Sequence, residues 1–253
     1  MKILLAVPAL AACLCAQAPD YTSAGVVNGA SFTPGLAPNT IASIFGTNLS
    51  WDTVVLRSDD ISGDTMPTTL GNVGVYLEGW PAYLFYVSPT QINFLVPSPL
   101  LPGNFSLWVT RQGMVGPIVQ VTLQDTAPAL FQTPAGAAIA SHLDGSLVTS
   151  DAPARAGEIV MLWATGLGAT LPPLEDGMLP GAAQWLAEFK QFSVWVAGAP
   201  IDPGLVMYAG VAPGYAGLYQ INVRLPDPLP PNPQLQVAAG NTLSPPGLIL
   251  PAN

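Results

Sequence analysis

The sequence predicts an all-β protein of two tandem β-sandwich units, and three observations carry that expectation. One is an internal repeat. Tyr86 to Pro97 reads YVSPTQINFLVP, and its second half returns as QINVRLP from Gln220 to Pro226. Each copy follows a strand-like segment that ends in a turn, VYLEGWPA (Val75 to Ala82) and VWVAGAPI (Val194 to Ile201). Upstream, IASIFGTNL (Ile41 to Leu49) is echoed by IVMLWATGL (Ile159 to Leu167), so the paired segments keep one order and mark a duplicated unit. The second observation is 28 Pro and 25 Gly scattered through 253 residues. Each proline removes a donor and clashes with the preceding turn, which leaves no room for long helices. The third is spacing: β-branched apolar runs recur roughly every 8–12 residues between turn signals.

Residues 1–18, MKILLAVPALAACLCAQA, are expected to be an export signal, with one Lys, an apolar run and then small residues. The run is too short to persist as a transmembrane helix. Two processing routes stay open. Ala16-Gln17-Ala18 fits signal peptidase, although Pro19 follows directly, and this soluble route is favoured. Leu10-Ala11-Ala12-Cys13 resembles a lipobox, which would place a lipid anchor on Cys13. The expected location is therefore secreted or outer cell surface, with periplasmic or lipid-anchored placement as alternatives. Both cysteines, Cys13 and Cys15, lie in this segment, so no disulfide is expected in the mature chain.

The first unit is expected to cover 19–126. Ala24 to Phe32 contains Asn28-Gly29, a hairpin signal. Thr40 to Phe45 reads as an apolar strand, and Ser50 to Thr69 as an exposed acidic loop. Val73 to Leu77 and Ala82 to Val87 flank a turn at Glu78-Gly79. Ile92 to Val96 is a strand ended by Pro97. Phe105 to Thr110 and Ile118 to Leu123 are expected to pair across Arg111-Gln112-Gly113. In QIN, Ile92 and Ile221 should point inward, with Gln and Asn facing the other way and bonding loop backbone.

The second unit, 127–253, opens near Asp125-Thr126-Ala127-Pro128. A hairpin is expected at Asp144-Gly145, then strands at Glu158 to Ala164, Phe192 to Val196, Leu205 to Tyr208, Leu218 to Leu225, Gln234 to Ala238 and Gly247 to Leu250. Ala182 to Phe189 is the one stretch suited to two helical turns. Trp163 and Trp195 occupy strand positions and read as core.

The segments NGASF, SIFGTNL, LFYVSPTQINFLVP, ATGLG and YAGVAPGYAGLYQINVRLP together resemble the IPT/TIG domain. That is the immunoglobulin-like fold of plexins, Rel-type transcription factors and many bacterial surface proteins. They resemble more closely the paired C-terminal module of secreted acidobacterial proteins. The resemblance implies two tandem immunoglobulin-like sandwiches and an exported chain, and it implies no reaction.

Composition excludes several functions. The net charge is −9 with only six Lys+Arg, too few cations to neutralise nucleic acid phosphates or to reach anionic membranes. His142 is the single histidine, no G-x-S-x-G elbow presents a nucleophile, and no glycine-rich phosphate cradle is present. Calcium is the one cofactor the sequence offers. Asp59, Asp60 and Asp64, with Glu175 and Asp176, lie in irregular acidic loops of the kind extracellular calcium sites use, though solvated loops explain them too. Six tryptophans are many for a chain that is 8% charged. Trp51, Trp80 and Trp185 fall in turns or irregular segments, where an exposed ring can stack on a sugar or anchor a protein. The reading is a non-enzymatic exported or cell-surface protein that acts in binding, adhesion or scaffolding, with polysaccharide or an envelope protein as partner. An extracellular hydrolase using the acidic loops between the units, and a purely structural envelope protein, are the alternatives.

Overall fold

The structure is a computed structural model and describes residues 17–253. The expected signal, with Cys13 and Cys15, lies outside the described residues except for Gln17 and Ala18. The first unit holds β1 (Asp20–Asn28), β2 (Ile41–Thr47), β3 (Val54–Val55), β4 (Val73–Leu77), β5 (Trp80–Pro81), β6 (Tyr83–Val87), β7 (Gln91–Leu95), β8 (Gly103–Arg111), β9 (Met114–Val115) and β10 (Val119–Leu123). The second holds β11 (Ala129–Leu130), β12 (Ala140–His142), β13 (Ile159–Thr165), β14 (Thr170–Leu171), β15 (Gln184–Leu186), β16 (Phe192–Val196), β17 (Ala199–Pro200), β18 (Val206–Val211), β19 (Tyr219–Arg224), β20 (Leu235–Ala239) and β21 (Thr242–Leu243). Among the described residues helix is confined to three short 3-10 turns, and no helix is long and apolar enough to cross a membrane.

Each unit is an immunoglobulin-like sandwich of two antiparallel sheets. In the first, β1-β2-β7-β6-β3 faces β10-β8-β4-β5, with β9 on β8; in the second, β11-β13-β19-β18-β15-β14 faces β17-β16-β20-β21, with β12 on β13. Alternation along the strands builds the cores. Ile92 and Phe94 point inward from β7 between Ile44, Leu84 and Leu107, while Ile221 and Val223 do the same from β19 among Leu162, Val194 and Val237. The duplication extends to register. Ile92 lies opposite Ile44 and Val87, and Ile221 opposite Leu162 and Ala209. A bulge between Leu84 and Tyr86 recurs between Val206 and Tyr208.

The turns follow backbone chemistry. Glu78-Gly79 and Ala197-Gly198 both have positive φ at the two turn residues, the mirror-image geometry that suits the strand twist of a two-residue hairpin. Asn28-Gly29 differs from expectation, because the Asn28 amide caps instead of turning a hairpin. Its Oδ1 accepts from Ala30 N, and its Nδ2 donates to the Ala127 carbonyl in the second unit. Ala182 to Phe189 is not helical either. Gln184–Leu186 is a strand between β14 and β18, so cross-strand pairing takes the backbone groups a helix would need. Trp163 and Trp195 sit at outward, half-buried positions of their strands rather than in the core.

Candidate functional site

The two units are joined by polar and apolar contacts that fix the acidic loops. Leu179 N donates to the Asp64 carbonyl (2.8 Å) and Met66 N to the Gly177 carbonyl (2.9 Å), so the loops of the two units pair as a short antiparallel bridge. Asp176 reaches back to the first unit. Its Oδ1 accepts from Ser98 N (2.8 Å) and Ser98 Oγ (3.0 Å), and its Oδ2 from the Tyr83 hydroxyl (3.2 Å). Beside them Met66, Leu95 and Ala216 form a small buried pad with Ile41, Tyr83 and Leu179. Thr165, fully buried, accepts from Ile41 N (2.9 Å) and donates to the Gly217 carbonyl (2.8 Å). Tyr219 donates to the Gly168 carbonyl (2.5 Å) and accepts from Asn39 Nδ2 (3.2 Å); burial pushes its phenol up to about 12.

Of the five carboxylates offered as calcium ligands, the structure gives Asp176 to the interface and uses Asp60 Oδ2 to accept from Arg57 N (2.8 Å). Asp59, Asp60, Asp64 and Glu175 are exposed. Among the described residues no three His, Cys, Asp or Glu side chains are grouped to hold a metal ion. A cleft of about 420 Å³ opens next to the Asp176 contact, walled by Pro38, Leu100, Leu101 and Leu174 with Asn39, Asp125 and Thr170 as polar lining.

Trp51, Trp80 and Trp185 are 47%, 48% and 45% exposed, and they do not converge. The Arg111 guanidinium lies 3.8 Å over the Trp51 ring, and Trp51 Nε1 donates to Gln112 Oε1 (3.1 Å). Arg111 itself is fully buried; it donates to the Asn48 and Gln17 carbonyls, among the described residues no carboxylate pairs with it and its Nε has no partner, and burial lowers its pKa. Arg111 pairs with Val73 and Trp80 with Leu77, so Trp51 and Trp80 stand at opposite ends of β4. Trp185 belongs to the second unit, held edge-on by Phe189 (5.0 Å) and Tyr208 (4.9 Å).

Both ring nitrogens of His142 are held by neighbours. Its Nδ1 faces Glu158 Oε1 at 2.5 Å and its Nε2 the Ala152 carbonyl at 3.2 Å. Both partners accept, so the doubly protonated ring satisfies both; the Glu158 carboxylate raises its pKa. Among the described residues no serine is bonded to it, so they show no Ser-His-Asp relay.

The repeated amides bond differently from expectation. Gln91 Nε2 donates to Asn93 Oδ1 (2.8 Å) and Gln220 Nε2 to Asn222 Oδ1 (2.8 Å), each on the outward face of its sheet. They hold each other, and the loops are fastened by other groups. The outward direction of these amides is as expected, while the aromatic residues on the neighbouring strands are not in the sequence expectation, although the tyrosine ahead of each QIN is a signal of them.

No family model matches the chain, and no curated protein matches it. Among solved structures it is similar to SGBP-B of the mixed-linkage glucan utilization locus of Bacteroides ovatus, in complex with a mixed-linkage heptasaccharide. That likeness has 10% identity and a TM-score of 0.37, over 92% of this chain and 42% of that one. A surface glycan-binding protein of Prevotella bryantii has 13% identity and a TM-score of 0.27, over 83% and 37%. Domains 5–6 of the S-layer protein SbsC have 10% identity and a TM-score of 0.28, over 93% and 99%. The chain spans half or less of the length of the first of these structures. Likeness at this level is one of all-β architecture and carries no functional weight.

Proposed function

We infer that the chain is a non-enzymatic exported or cell-surface protein that binds polysaccharide through aromatic rings held on a rigid pair of immunoglobulin-like units of the IPT/TIG type. One observation carries the reading: three tryptophans keep 45–48% of their surface in water, while neighbours fix Trp51 and Trp185 in place. A ring fixed before its ligand arrives loses little freedom when a sugar face stacks on it. Loops on a rigid sheet scaffold are also where recognition is placed without cost to the core. The hydrolase alternative lacks a comparable support, since both nitrogens of His142 are engaged and Asp176 is spent on the junction. Export rests on residues 1–18. Glycan arrays and polysaccharide pull-downs with purified protein test the reading. Binding should fall when Trp80 and Trp185 are both changed to Ala with the circular dichroism spectrum unchanged. Undiminished binding by that variant removes the tryptophans from the account, and hydrolysis of a substrate that disappears with His142→Ala would replace it by an enzyme.

A further inference from the structure

A core repeats its inward residues because two copies of one fold must be filled alike, but solvent makes no such demand on the outward face. Here the outward face repeats as well. In the first unit Phe45 on β2 lies opposite Gln91 on β7, and Asn93 lies opposite Tyr86 on β6. In the second, Trp163 on β13 lies opposite Gln220 on β19, and Asn222 opposite Tyr208 on β18. Paired residues share a face, so each unit displays an aromatic ring, a Gln-Asn amide pair and a tyrosine across three adjacent strands. Phe45 is 39% exposed and the other seven are half-buried. Trp185 extends the second row, being opposite Gly210, which is opposite Gln220. It stands three strand spacings, roughly 14 Å, from Trp163. The Tyr208 hydroxyl lies over Gly210 of its own strand, its one proton shared between the Gln184 (3.1 Å) and Val211 (2.8 Å) carbonyls.

The amide pairs are oriented alike in both units. Each glutamine spends one N–H on its asparagine, and Asn93 Oδ1 also accepts from Ser43 Oγ (2.9 Å). Among the described residues this leaves Gln Oε1 as an acceptor and Asn Nδ2 as a donor without a protein partner in either unit, and neither is sealed from solvent. An acceptor and a donor carried by one amide pair complement hydroxyls of a pyranose, each of which both gives and takes a hydrogen bond. The ring next to them takes the sugar's apolar C–H face. None of the eight residues is charged, and the chain's net charge of −9 repels polyanions.

We propose that each row is a glycosyl-binding subsite, and that the ligand is a neutral polysaccharide whose repeat engages the two subsites together. This rests on the reading of the chain as a polysaccharide-binding protein and adds where, and what kind of polymer, it binds. Where one polymer spans both subsites, binding at the first raises the effective concentration for the second, so a polymer gains where a short oligosaccharide does not.

The test is titration calorimetry of the full chain with soluble neutral β-glucan, α-glucan and galactomannan, using Asn93→Asp and Asn222→Asp. These isosteric changes keep the oxygen that receives the glutamine N–H and replace the outward NH2 by a carboxylate oxygen, which removes the donor and adds a negative charge. Each should weaken the polymer by about tenfold, the loss of one ligand hydrogen bond at a site left unsatisfied, and the double variant should lose more than either. Melting temperatures should stay at the wild-type value, which separates lost recognition from lost folding. Wild-type affinity in both single variants overturns the proposal. If the Trp80 and Trp185 changes abolish binding while the asparagine variants bind normally, the polysaccharide reading stands and the subsites do not. If wild type binds no neutral polysaccharide, both fall.

Discussion

Ile92 and Ile221 are fully buried at corresponding points of the two cores, each facing aliphatic side chains on both neighbouring strands. Truncation to Ala removes apolar contacts and leaves a cavity, so each change should cost about 2–5 kcal/mol in chemical denaturation. Asp59→Ala and Glu175→Ala, at exposed loop positions, should stay within about 0.5 kcal/mol. Equal losses in the four variants would contradict the strand register. His142 gives a pH signature of known sign. Its pKa is raised in the folded chain, first by the Glu158 hydrogen bond, so its contribution is full below the unfolded value of about 6.5. That contribution is lost as pH rises through the higher folded value. The pair is reached by solvent, which keeps the effect below ~1 kcal/mol. The denaturation midpoint should fall from pH 6 to pH 8 in wild type and fall less in His142→Ala; a steeper fall in the variant would contradict the pairing.

At the scale of elements, the junction is built by close approach. Gly177 has a φ of +68°, and a Cβ there would lie 2.1 Å from the Tyr83 ring. Gly177→Ala should therefore destabilise by about 1–3 kcal/mol through overpacking and backbone strain, whereas Gly181→Ala, with open space around it, should be neutral; thermal melts of both check this. Elements that depend on local chemistry were legible in the sequence. The Glu78-Gly79 and Ala197-Gly198 turns need positive φ, and the alternation in QIN sends Ile92 and Ile221 inward. Elements that depend on a distant partner were not. Asn28-Gly29 carries a hairpin signal, but the Asn28 side chain is claimed by Ala127 across the linker. Gln184–Leu186 has helix-compatible residues, but two strands from other parts of the chain fix it as β. Trp163 reads as core from hydrophobicity alone; the phase of β13, set by Val160 and Leu162, turns it outward.

For the whole molecule, the repeat made two sandwiches legible, while the surfaces they bring together were not. The acidic loops read as exposed segments or, in the hydrolase alternative, as a site between the units; the fold pairs Thr65 with Met178 there and spends Asp176 on Ser98 and Tyr83. The three tryptophans proposed from sequence are exposed, but on separate parts of the body. It is the duplicated row on the outward face of one sheet in each unit, with Trp185 continuing one of them, that gives the molecule a repeated surface. The proposed function predicts that the protein holds a long neutral chain without cutting it. Native electrophoresis of the full chain through gels cast with and without soluble neutral polysaccharide measures that directly. The mobility should drop in at least one polysaccharide gel relative to a non-binding marker, and recover when Trp80 and Trp185 are both Ala. Unchanged wild-type mobility across β-glucan, α-glucan and galactomannan would contradict it.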